Sequence, residues 1–85
     1  MRRGEAVRCT VDYDLFDCDN VKGEEGCYID YSEVNKKHLI YFPECGEWAE
    51  LEEEEFERIN KPGHIPKKNR KFIEKLSRMK ITLIT

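Results

Sequence analysis

The sequence of 85 residues contains no glutamine, no long apolar segment and no closely spaced pair of cysteines. No stretch approaches the roughly 20 consecutive apolar residues of a membrane helix, so no membrane span is predicted. Arg2 and Arg3 are not followed by an apolar segment of about 7 to 15 residues, which a signal peptide would require. From these absences we expect a soluble, cytoplasmic protein.

The four cysteines are Cys9, Cys18, Cys27 and Cys45, with eight, eight and seventeen residues between them. Structural zinc sites usually contain two cysteines about two to four residues apart, because a tight turn must direct both thiolates at one metal. This spacing argues against zinc, although a site assembled from separate strands stays open. Without an export signal we expect reduced thiols, with Cys9 and Cys27 acting as small apolar strand residues.

The sequence has few features of an enzyme. A chain of 85 residues suits one small domain with a modest core, which leaves little room for a deep cleft. His38 and His64 are its only histidines, and neither lies in a pattern typical of nucleophilic catalysis. We therefore predict a protein that is not an enzyme, with no catalytic residue, bound metal or cofactor.

Short segments of alternating apolar and polar residues occupy most of the first 59 residues. Turn residues separate them at intervals of about eight to twelve residues, which is typical of small barrels and sandwiches. The predicted strands are residues 6–11, 27–32, 38–42 and 47–51, followed by a helical turn and a short fifth strand that reaches residue 59. The predicted core consists of Val7, Val11, Tyr28, Ile40, Phe42, Trp48, Leu51, Phe56 and Ile59.

A helix is predicted after the strands. Lys61-Pro62-Gly63 interrupts the chain, and residues 67–79 then follow a helical pattern. One apolar stripe is formed by Phe72, Ile73, Leu76 and Met79. Residues 81–85 favour β structure and could add a strand. We therefore predict a mainly β fold, a five-stranded SH3-like barrel with a C-terminal α-helix and an extra terminal strand.

Charge divides the chain near Asn60. Residues 1–59 contain seven Lys or Arg and seventeen Asp or Glu, a net charge of −10. Residues 60–85 contain eight Lys or Arg and one Glu, a net charge of +7. We expect a single domain in which an acidic barrel, residues 1–59, carries a basic linker, helix and terminal strand, residues 60–85, packed against it.

Several short motifs support a resemblance to a known group of barrels. They are Arg3-Gly4 with Val7-Arg8, Lys22-Gly23-x-Glu25-Gly26, Ile40-x-Phe42, Trp48, and Phe56-x-x-Ile59. On these motifs, residues 3–59 resemble small SH3-like barrels of photosynthetic electron transfer, such as the variable chain of ferredoxin–thioredoxin reductase and the stromal barrel subunit of photosystem I. The resemblance implies the fold and suggests an accessory subunit of a redox enzyme. It assigns no functional residue.

An acidic surface is the first candidate binding site. Four aspartates alternate with other residues in one predicted loop, but the glycine that a calcium-binding loop requires is missing. If Tyr28 and Phe42 point into the core, Tyr41 points outward and can contact a peptide. We predict a protein partner, bound through the acidic barrel face. The predicted contact residues are Asp12, Asp14, Asp17, Asp19 and Tyr41.

The basic helix provides an alternative function. Clustered cations on a helix can bind the phosphate backbone of a nucleic acid. The residues that would do so are Lys67, Lys68, Arg70, Lys71, Lys75 and Arg78. A further alternative uses the acidic run Glu52–Glu55 to mimic a nucleic acid and block a protein that binds one.

Overall fold

The computed structural model describes residues 1–15 and 19–78. It contains five strands, a short 3₁₀ turn and one helix. These are β1 (Ala6–Cys9), β2 (Glu25–Ser32), β3 (Lys37–Phe42), β4 (Glu47–Leu51), the 3₁₀ turn (Glu53–Glu55), β5 (Phe56–Arg58) and α1 (Lys67–Arg78). The predicted mainly β fold with a C-terminal helix is confirmed. The predicted terminal strand and Met79 lie outside the described residues.

The five strands form one antiparallel sheet in the order β4-β3-β2-β1-β5. The last strand returns to the first, so that Cys9 of β1 lies opposite Phe56 of β5. The sheet is open, with β4 and β5 as its two edges. The barrel closure predicted from the sequence is therefore absent from the described part of the chain.

A bulge in β2 changes which face its residues occupy. The register shifts between Tyr28 and Asp30, so Tyr28 lies opposite Ile40 and Tyr31 lies opposite His38. Tyr28 and Tyr31 consequently point to the same face although they are three residues apart, and both rings contact the His38 ring. Such bulges bend a strand and increase its twist. We call this face the inner face.

The inner face carries the hydrophobic core. Its buried members are Val7, Cys9, Val21, Tyr28, Ile40, Phe42, Ala49, Leu51 and Phe56. Six of the nine predicted core residues are among them. Val11 packs only at the margin of this core, Ile59 is half-buried, and Trp48 lies on the opposite face. Val21, which the sequence pattern did not predict, is also buried, and Tyr13 and Leu15 pack against the same core.

The helix packs against the opposite side, which we call the outer face. The Phe72 ring lies parallel to the Tyr41 ring, with centroids 4.3 Å apart, and also contacts Trp48 at 6.1 Å. Leu76, one turn further along α1, is buried. These contacts use the apolar stripe predicted from the sequence. Within the described residues, α1 is the only α-helix, and it is too short and too polar to cross a membrane.

A buried amide fixes the start of the helix. Asn69 is 4% exposed and donates a hydrogen bond of 2.8 Å from Nδ2 to the carbonyl of Gly4. The N–H of Gly4 in turn donates to the carbonyl of Tyr28. Gly4 has a φ of +99°, a conformation that glycine adopts without strain. The helix is thus tied to the N-terminal segment and, through it, to β2.

A buried carboxylate fixes the linker before the helix. Glu5 is 1% exposed and accepts hydrogen bonds from the N–H groups of Arg2 and Gly63 and from Nε of Arg58, the last at 2.7 Å. Burial by itself would raise the pKa of Glu5, but these donors together hold the pKa below its ordinary value. Glu5 is therefore a charged residue that joins the N-terminus, β5 and the linker.

Candidate functional site

The predicted acidic site lies on the loop between β1 and β2. Asp12, Asp14 and Asp19 are exposed, whereas Asp17 lies outside the described residues. Asn20 organises the base of this loop: its Oδ1 accepts the N–H groups of Tyr13 at 3.1 Å and Lys22 at 3.0 Å, and its Nδ2 donates to Asp12. The sequence analysis treated this segment only as an acidic loop. It missed Asn20 as the residue that shapes it.

A pocket of about 270 Å³ opens beside this loop. Its lining residues are Asp19, Asn20, Val21, Glu24, Glu44 and Cys45. The fold thus brings Asp19 together with two carboxylates, Glu24 and Glu44, that the sequence analysis did not include. Within the described residues, no three His, Cys, Asp or Glu side chains are arranged to hold a metal ion.

The cysteines differ in state. Cys9 and Cys27 are buried free thiols, as predicted, and burial raises the pKa of Cys27 to about 12, so it stays protonated. The prediction of reduced thiols is wrong for Cys45, which is disulfide-bonded. Cys45 itself is half-buried against the core, although Pro43, Glu44 and Gly46 of the same turn are exposed. Spacing could not show this, since the tertiary fold decides which thiols approach one another. Cys18 lies outside the described residues.

Tyr41 is less accessible than the sequence analysis expected. It does point away from Tyr28 and Phe42, which are buried in the core. However, α1 covers this side of the sheet, and Phe72 stacks on one face of the Tyr41 ring. Tyr41 is consequently half-buried rather than an open contact point. A partner could reach only its uncovered parts.

The basic side chains of α1 form the largest group of predicted site residues that the fold brings onto one surface. An α-helix turns by about 100° per residue, so its residues can be assigned to arcs around the axis. The arc against the sheet spans about 100° and consists of Asn69, Phe72, Ile73 and Leu76. The opposite arc spans about 160° and is exposed. It contains Lys67, Lys68, Arg70, Lys71, Lys75 and Arg78, together with Glu74.

We call these six basic residues the cationic face of α1. Lys68 forms an ion pair of 3.2 Å with Glu25 on β2, in which both side chains remain substantially exposed. Within the described residues, the other five cations form no ion pair. The apolar stripe and the cations therefore lie on opposite sides of the helix, and packing against the sheet leaves the cationic face open to solvent.

His38 lies on the inner face of the sheet, whereas α1 packs on the outer face. Its Nδ1 is 2.7 Å from the hydroxyl oxygen of Tyr28, and its ring contacts the Phe56 ring. Burial lowers the pKa of His38, against the opposing effect of the Glu53 carboxylate. His64 is exposed on the linker. The two histidines are thus held in separate surroundings.

Comparison with known proteins does not assign this chain to a group: no family model, curated protein or solved structure matches it. These comparisons give no support to the resemblance to photosynthetic SH3-like barrels, and the structure shows a small β fold of five antiparallel strands with a C-terminal helix.

Proposed function

We propose that this protein is a non-enzymatic binding module that holds a nucleic acid through the cationic face of α1. The observation that carries the proposal is the placement of six Lys and Arg side chains on one exposed arc, opposite the arc that packs on the sheet. Lys and Arg that neutralise phosphates release condensed counterions, which drives binding without any sequence recognition.

The acidic body does not cancel this attraction. Residues 1–59 carry a net charge of −10, and phosphates would be repelled from that surface. However, the cationic face lies on the side of α1 that points away from the sheet. A helix with its side chains is about 10–12 Å across, which separates most of these cations from the acidic sheet. That separation is at least the Debye length of about 8–10 Å at physiological salt, so most of the repulsion is screened at the outward cations.

The test reverses charge on the cationic face. The variant Arg70→Glu, Lys71→Glu, Lys75→Glu removes three contacts, and its matched control, Lys22→Glu, Lys36→Glu, Lys61→Glu, makes the same charge change at exposed positions off the helix. Binding to a fluorescent 20-base-pair duplex is followed by anisotropy. At about 0.1 M salt, three lost phosphate contacts correspond to roughly 500-fold weaker binding.

The control variant should bind far more tightly than the helix variant at equal net charge. Circular dichroism at the assay temperature verifies that both variants are folded. Equal binding by the wild type and the folded helix variant would refute the proposal, because the affinity would then not come from α1.

A second candidate is a protein partner bound at the acidic loop, as the sequence predicts. The pocket between Asp19, Glu24 and Glu44 supports it, since three carboxylates around one pocket suit a Lys or Arg side chain of a partner. An accessory-subunit or nucleic-acid-mimic role would use an acidic surface too. Recovery of a partner from the native source by the wild type, but not by Asp14→Asn, Asp19→Asn, Glu44→Gln, would favour this candidate.

A further inference from the structure

The placement of the aromatic residues narrows the kind of nucleic acid that α1 can hold. Proteins that bind single strands combine a basic groove with exposed aromatic rings on which successive bases stack. The rings nearest α1 are Tyr41, Trp48 and Phe72, and they pack against one another between the helix and the sheet. These three rings are therefore half-buried, and part of each ring is engaged in the fold.

The most exposed aromatic ring is on the other side of the sheet. Among the described Phe, Tyr and Trp residues, only Tyr31, at 41% exposure, is exposed, and it lies on the inner face beside His38. The helix packs on the outer face. A strand that followed the cationic face would thus find no exposed Phe, Tyr or Trp ring beside it among the described residues, and would gain mainly phosphate contacts.

The angular spread of the cations suits two phosphate backbones. Arg70 and Lys75 lie about 140° apart around the helix axis, on the two flanks of the exposed arc, with Lys71 between them. The major groove of a duplex is about 12 Å wide and admits an α-helix. When the exposed arc faces such a groove, its two flanks point toward the phosphates of opposite strands.

The exposed arc carries no side chain that would read adenine. The amide side chains that recognise adenine are absent from it, because the chain has no glutamine and Asn69 is buried against Gly4. The Lys and Arg side chains can contact guanine only when they are not engaged by phosphates, and the one other residue of the arc is Glu74. Affinity should therefore depend on the phosphate backbone far more than on sequence.

We propose that the ligand of α1 is a double-stranded nucleic acid, held by its two phosphate backbones with little dependence on base sequence. This inference rests on the proposed function. The helix has 12 residues and is about 18 Å long, so it spans roughly five base pairs. The five unpaired cations set an upper limit of five phosphate contacts, while Lys68 is shared with Glu25.

The number of contacts sets the expected salt dependence. Each contacted phosphate contributes about −0.9 to the slope of log affinity against log salt concentration. Five contacts give a slope of about −4.5, or a loss of roughly 500-fold between 50 and 200 mM salt. Replacement of Glu25 by glutamine releases Lys68 and should make the slope steeper by about 0.9. Glu24→Gln, at the neighbouring residue, is the matched control.

The experiment measures anisotropy with the full chain, two 20-base-pair DNA duplexes of unrelated sequence, and one strand of each. The inference is supported if the two duplexes bind within about threefold of each other and the single strands bind at least about tenfold more weakly. A circular dichroism spectrum of each variant verifies its fold.

Three other results would contradict the duplex, the backbone-only mode or the proposed function. Single strands that bind as tightly as duplexes would overturn the choice of a duplex while leaving the proposed function standing. A preference above about tenfold between the two duplexes would overturn the backbone-only mode. No binding of any probe, or binding that the helix variant Arg70→Glu, Lys71→Glu, Lys75→Glu leaves unchanged, would overturn the proposed function as well.

Discussion

The carboxylate of Glu5 should contribute more to the free energy of unfolding than any exposed Asp or Glu of this chain. It accepts three hydrogen bonds while almost completely buried, and two of its donors are backbone N–H groups in different segments. Replacement by glutamine keeps the size and shape of the side chain but supplies only one acceptor oxygen. The amide nitrogen of the variant must then face the N–H of Arg2, or those of Gly63 and Arg58, so donor meets donor.

The expected loss follows from these contacts. A hydrogen bond to a charged group contributes about 1.5–3 kcal/mol, and at least one is lost. The side chain of Arg58 is 34% exposed, so water compensates part of the broken ion pair, and the larger cost of a fully buried broken pair does not apply. We expect Glu5→Gln to lower the free energy of unfolding by about 2–3 kcal/mol, of a total near 4–13 kcal/mol.

Thermal unfolding followed by circular dichroism measures this effect. A domain of this size shifts by about 4–8 °C per kcal/mol, so Tm should fall by roughly 10–20 °C at pH 7. The control Glu57→Gln, at an exposed position on β5, should change the free energy of unfolding by less than about 0.5 kcal/mol. A Glu5→Gln variant that melts within about 2 °C of the wild type would refute the argument.

The same carboxylate predicts a pH dependence. Because the pKa of Glu5 is lower in the folded state than its ordinary value of 4.5, the unfolded chain binds the proton more readily. The stabilisation is therefore present above about pH 4.5 and is lost as the pH falls through the lower, folded pKa. The gap in stability between wild type and Glu5→Gln should narrow in that acidic range. A gap that stays constant down to pH 2 would contradict this assignment.

Two further predictions concern the two faces of the sheet. Phe72→Ala removes the ring that stacks on Tyr41, and should cost about 1.5–3 kcal/mol and alter the emission of Trp48, the single tryptophan. Unchanged Tm and emission would show that α1 does not pack there. The pKa of His38 is lower in the folded state, so the unfolded chain takes up the proton first, and the free energy of unfolding should fall as the pH drops below about 6.5. In a plot of Tm against pH, His38→Gln should remove the part of this fall that is due to His38. A profile identical to the wild type would count against the burial of His38.

Much of the local structure could be predicted because it depends on neighbours in the chain. The fourth strand was predicted at its observed bounds, residues 47–51, and the helix was predicted to begin at Lys67, where it does begin. The spacing of apolar residues along a strand or a helix depends only on nearby residues, so it can be recognised in the sequence. The bulge near Ile29 was not predicted, because nothing local distinguishes it from regular strand.

The candidate site was predictable in composition but not in arrangement. The cations of α1 and the acids of the β1–β2 loop are visible in the sequence, and so is the apolar stripe of the helix. Whether Tyr41 would be open or covered depended on where α1 docks, and the structure places Phe72 on it. Asn69 acts through a hydrogen bond to the distant Gly4, for which one sequence offers no signal, whereas Asn20 accepts from Lys22 two residues on, a turn that asparagine favours locally.

The charge division between residues 1–59 and 60–85 and the order of the secondary-structure elements follow from the sequence alone, since both are sums or periodicities along the chain. The open sheet, the bond at Cys45, the burial of Glu5 and the outward direction of the cationic face were decided by tertiary structure. Each of these depends on which distant groups meet when the apolar surfaces pack, and that packing is a property of the whole chain rather than of any segment.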